Sequence, residues 1–145
     1  MRRTTAAALS LAATTALTLA ATGCDTVKET AGTITSSATA AVASAAEQKM
    51  NEVKDGVNAT GDVSAGPTST DGDRTVAEIT AKNPKDKNAD YTVMVTFRDA
   101  EGNFLDSVVL SIDGVAPGES KTGTARSNRT LSGDPKAEIG QALRH

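Results

Sequence analysis

The side chains that usually carry nucleophilic, acid–base or metal chemistry are scarce in this chain of 145 residues, which has one Cys, Cys24, and one His, the terminal His145. With a single His in last place, no Ser-His-Asp or Cys-His arrangement can be assembled, and zinc would lack its usual nitrogen and sulfur ligands. Asp71-Gly72-Asp73 hints at calcium, but Thr75 and Lys82 stand where further oxygen ligands would be needed. Gly118-Glu119-Ser120-Lys121-Thr122 shares letters with a phosphate loop but has no Gly before the Lys and no helix after it, so it reads as a turn between strands. Asp99 and Glu101 fall in an evident turn, where solvation is the default for carboxylates. Neither S-x-x-K nor G-x-S-x-G occurs. No enzyme, no metal and no cofactor is expected.

Cys24 is the residue with a distinct chemical context. Arg2 and Arg3 precede an uncharged run of Ala and Leu with scattered Thr and Ser, which ends in small residues; this is the three-part layout of a secretory signal peptide over residues 1–23. Ala21-Thr22-Gly23-Cys24 then resembles the lipobox of bacterial lipoproteins, in which small residues precede a Cys that is lipidated and becomes the new N-terminus. Ala21 stands where Leu is commonest. Two acyl chains of the palmitate kind on the sulfur would anchor stably, at about 0.8 kcal/mol per buried methylene, where one chain is marginal. The alternatives are an ordinary signal peptide with a coincidental Cys and an uncleaved helix, the latter disfavoured by the Ala/Thr-rich composition. A lone thiol in an exported chain is otherwise a liability, which favours lipidation. Arg2-Arg3 also admits twin-arginine export beside general secretion.

The expected location is therefore the cell membrane, lipid-anchored on its extracytoplasmic face. The whole chain has 15 basic and 18 acidic residues, and removal of Arg2 and Arg3 makes the mature part more acidic still. An acidic exterior argues against nucleic acid and anionic headgroups as partners, and no basic cluster is interleaved with aromatics.

The elements that must present any site follow. Residues 24–57 are Ala-rich, and Val42, Ala46, Met50, Val53 and Val57 recur at helical steps, predicting a helix from Thr39 to about Asp55, ended near Gly56. This segment reads as a stalk or spacer, with a partner-binding helix as the alternative. Residues 58–72, with Gly, Pro and almost nothing to bury, read as a flexible linker. The folded part is then expected over 73–145. Tyr91, Val93, Val95 and Phe97 alternate with Thr92, Met94, Thr96 and Arg98 in a period-2 strand. Asp99 to Asn103 is a hairpin turn, and Phe104 to Ile112 returns, with Asp106 in phase with the apolar residues and so near an open end or a bulge. Thr75 to Lys82 predicts a first strand, Lys121 to Arg126 a weak one, and Ala137 to Leu143 a last strand or short helix. The fold class is all-β, a small antiparallel sandwich. So small a domain with no disulfide has modest stability.

Asn83-Pro84, Ala89-Asp90-Tyr91, the run from Phe97 to Gly102, Leu105 and Ala116-Pro117-Gly118-Glu119 resemble the small immunoglobulin-like FxLYD-type domains of actinobacterial lipoproteins, over roughly Thr75 to Ala125. Arg98 and Asp99 stand where that family has an apolar or aromatic pair. The resemblance implies an extracytoplasmic interaction role and carries no catalytic residues.

Two functions are open: an anchored sandwich that binds an envelope protein, and a ligand-carrying or accessory lipoprotein of a membrane complex. The few large apolar side chains scarcely leave material for a ligand pocket, which favours the first. By strand phase, the candidate interaction face is Met94, Arg98, Leu105 and Val109.

Overall fold

The computed structural model describes residues 39–145. The signal peptide, the lipobox residues Ala21, Thr22 and Gly23, the lipidation site Cys24 and the first part of the Ala/Thr-rich stretch lie outside the described residues.

A helix, α1, covers residues 39–51. Seven strands follow: β1 (Val57–Asn58), β2 (Val63–Asp71), β3 (Arg74–Lys82), β4 (Ala89–Arg98), β5 (Phe104–Val115), β6 (Ser120–Arg126) and β7 (Lys136–Arg144), with a short 3-10 turn at Thr60–Asp62 between β1 and β2. They form two antiparallel sheets, β1-β7-β4-β5 and β2-β3-β6. This is the small all-β sandwich expected, with a helix in front of it.

The core lies between the sheets. Tyr91, Val93, Val95 and Phe97 on β4 are all 0% exposed, and they face Ala77, Ile79 and Ala81 of β3 and Ala125 of β6. Bulk is unevenly shared: the four-stranded sheet supplies the two buried aromatics, and small Ala side chains opposite leave room for them. The Tyr91 hydroxyl donates to the Lys82 carbonyl at 3.0 Å, so the phenol is satisfied inside the core. Asn83, also 0% exposed, ties the β3–β4 loop to the β5–β6 turn by donating to Lys87 O at 2.6 Å and Val115 O at 2.8 Å. In that turn Glu119 N–H donates to Ala116 O at 3.0 Å, with Gly118 at φ 73° after Pro117, the residue pattern of a type II turn.

Two expectations need correction. Residues 58–72 are not a flexible linker: they hold the end of β1, the 3-10 turn and all of β2, and the sandwich begins at Val57 rather than residue 73. Composition misleads here because β2 is an edge strand that buries one large side chain, Val63, and is ordered mainly by its backbone ladder to β3. Its Pro67 lies where the register shifts between Ala65 and Thr68, a bulge that can spare a missing N–H. Nor do residues 39–57 stand clear of the sandwich as a stalk. Ala46 and Met50 are 5% and 1% exposed, yet neither belongs to the inter-sheet core. Val53 and Leu143 both lie within 3.2 Å of the position a Cβ on Gly56 would take. Thr92 and Thr96, on the outer face of β4, are buried as well. Helix α1 is therefore laid against the outer face of the four-stranded sheet. It stops at residue 51, short of Asp55, because the chain leaves through Asp55 at φ 58° and Gly56 to start β1.

Candidate functional site

At the β4–β5 hairpin the Asp99 carboxylate accepts from Glu101 N–H at 3.0 Å, Asn103 N–H at 2.8 Å and the Asn103 side-chain amide at 3.0 Å. The Asn103 side-chain bond leads these in holding the Asp99 pKa below its ordinary value. The carboxylate is thus used up in shaping a turn. Asp71 ends β2 and Asp73 lies in the two-residue Gly72-Asp73 hairpin tip between β2 and β3; Asp71 pairs with Arg126, and Asp73 with Arg74 at 3.3 Å. Their neighbours are cations, the reverse of a calcium site. Gly118 to Thr122 forms the β5–β6 turn and the start of β6. Among the described residues no group of three or more His, Cys, Asp or Glu is placed to hold a metal ion.

Asp106 is the buried acid. It is 0% exposed and accepts from Ser107 N–H at 2.9 Å, Asn128 N–H at 2.6 Å and the Asn128 side-chain amide at 3.2 Å. As expected from its phase, it sits beside a bulge, where the β4–β5 register shifts between Phe97 and Arg98. It fastens the β6–β7 loop onto β5.

The four residues expected to form an interaction face do not make one open patch. Met94 and Val109 are cross-strand neighbours on the outer face and are half-buried there, on the side that α1 covers. Arg98 is engaged with Glu138 at 3.0 Å and with Gly102 O at 3.0 Å. Leu105 lies in the bulge, which reverses the strand phase, and it packs against the inter-sheet core. Strand phase alone could not register a bulge or a helix packed on the sheet.

What the chain does assemble is a groove of about 470 Å³ along the free edge of β5, lined on one side by Val42, Ala45, Ala46 and Lys49 of α1 and on the other by Thr124, Ala125 and Arg126 of β6. Its floor runs from Ser107 to Leu110 and includes side chains of both faces of β5, so the groove wraps the strand's edge. β5 and β6 are the end strands of their sheets and lie side by side there. Gly123 permits this approach: a Cβ on it would stand 2.8 Å from Leu110 Cδ1 and 3.1 Å from Ile112 Cγ1. The sequence signals for the groove are the α1 stripe containing Val42 and Ala46, and a Gly inside a strand. Neither says that the two meet.

No family model, no curated protein and no solved structure matches the chain. No described helix is long and apolar enough to cross a membrane.

Proposed function

We propose that the protein is a lipid-anchored lipoprotein of the cell envelope, held by acyl chains on Cys24 at the extracytoplasmic face of the membrane, whose sandwich binds another envelope protein. The carrying observation is the segment Ala21-Thr22-Gly23-Cys24 directly after a charged start and an apolar run. The immunoglobulin-like, FxLYD-type reading of the domain belongs to this proposal and draws support from the small antiparallel sandwich and its Pro117-Gly118 turn. A non-enzymatic role is favoured because the notable polar groups, Asp99, Asp106 and Asn83, each have their hydrogen bonds met within the fold. The alternative, a ligand-carrying accessory lipoprotein, would need an enclosed apolar pocket, and the groove beside β5 is open.

Membrane fractionation and intact mass of the native chain beside Cys24→Ser test the anchor. The expected result is a membrane-bound native protein with a diacylglyceryl mass increment and a released, unlipidated variant. Two soluble proteins without added mass would overturn it.

A further inference from the structure

The free edge of β5 is guarded at some positions and left open at others. In an antiparallel strand, every second residue turns both its N–H and its C=O away from the paired neighbour. On β5 those residues are Ser107, Val109 and Ser111, with Leu105 and Asp113 beyond them. The Leu105 carbonyl accepts from the Arg129 guanidinium. At Ser107 the N–H is taken by Asp106 and the carbonyl by the Asn128 amide at 3.0 Å. The Asp113 carbonyl accepts from Lys121 Nζ at 2.6 Å. Side chains of β6 and its following loop thus close both ends of the edge. Between them, the outward backbone groups of Val109 and Ser111 have no partner among the described residues, and the groove opens over this stretch at Val109 and Leu110.

We propose that this window is a strand-addition site for a short extended peptide segment of a partner protein. A three-residue stretch lying antiparallel to β5 would set its two outer residues against Val109 and Ser111, exchanging N–H···O=C bonds with each. Its middle side chain falls opposite Leu110 on the inner side, beside Ala125, and suits an apolar residue. The outer two side chains fall on the α1 side with Val109 and suit small residues; Lys49, an exposed cation among the residues lining the groove, favours an acidic residue just outside the three. The guards select the occupant's length. A second copy of β5 paired along its whole strand would meet Asn128 and Lys121 at both ends, whereas a three-residue contact meets neither. This inference rests on the reading of the domain as an interaction module and not on the lipid anchor.

The test starts from selection of a displayed random heptapeptide library on the full-length protein, with the enriched peptide then titrated into isotope-labelled protein. Enrichment of small-apolar-small sequences is expected, with the Val109 and Ser111 amides shifting and becoming protected from exchange. Ser111→Pro removes an outward N–H without touching the β4 ladder, and edge strands tolerate Pro in that orientation. It should weaken the peptide about tenfold or more while Ser111→Ala stays within about twofold, and the unfolding midpoint of each variant confirms the fold. No enriched pattern, binding indifferent to Ser111→Pro, shifts confined to other residues, or a native dimer paired through β5 would each overturn the proposal. All are independent of the Cys24 fractionation result.

Discussion

Asp106 is a carboxylate with no exposure whose oxygens receive three N–H groups from Ser107 and Asn128. Asp106→Ala would leave the N–H of Ser107, a residue only 3% exposed, without its acceptor and would untie the Asn128 backbone from β5, and an unsatisfied buried donor costs about 1–3 kcal/mol. The expected outcome is a loss of about 2–3 kcal/mol in urea unfolding, with Asp106→Asn less affected because one amide oxygen remains. Asp99 makes a different prediction. Its folded-state pKa is depressed, first by the Asn103 side chain, so its contribution to stability is present above the unfolded value of 3.8 and is lost as pH falls through the lower folded value. Acid unfolding of the native protein should therefore steepen below about pH 4, and Asn103→Ala should bring the Asp99 carboxyl titration, followed by carbon NMR, back towards 3.8.

Helix α1 and the four-stranded sheet are joined by few large side chains, of which Met50 is the deepest, outside the inter-sheet core. Met50→Ala should cost about 2 kcal/mol, and amide exchange should show α1 released while β4 stays protected. At the other wall of the groove, Gly123→Val would press branched carbons onto Leu110 and Ile112, where a Cβ alone already meets the former at 2.8 Å. Overpacking of this kind costs about 1–3 kcal/mol; the check is a lowered thermal midpoint with the far-ultraviolet spectrum unchanged. The β4–β5 hairpin was plain in the sequence because alternation, a Gly-containing turn and a second alternating run agree. β2 was not, since its Ser, Thr, Gly and Pro owe their strand conformation to β3 rather than to burial.

For the molecule as a whole, docking of α1 sets how far the sandwich would stand from Cys24 if that residue carries the proposed anchor. A stalk running to residue 72 would have allowed wide separation. With α1 on the sheet, only residues 25–38 can span the gap, and fourteen extended residues reach about 50 Å at most. Length variants inserted between Cys24 and residue 39 should widen protease access to the loops in proportion to the added residues, whereas insertions at Gly61, on the sandwich itself, should not. A proportional response at Gly61 would mean that α1 does not hold the domain.

Charge pattern, apolar run and a single Cys preceded by small residues are local properties, so the export and lipidation proposal is read from the sequence alone. Period-2 runs around Tyr91 and Leu110, and the Pro117-Gly118 turn, determined the sandwich class, because alternation and turn geometry are encoded within a few residues. Tertiary structure decided the rest. Whether Thr92 and Met94 face solvent depends on a helix some forty residues away, the phase of Leu105 depends on one bulged residue, and the limits of the open stretch of β5 are set by Asn128 of the β6–β7 loop and Lys121 of β6, which close its two ends. Those are contacts between segments distant in the chain, and neither periodicity nor composition carries their distances.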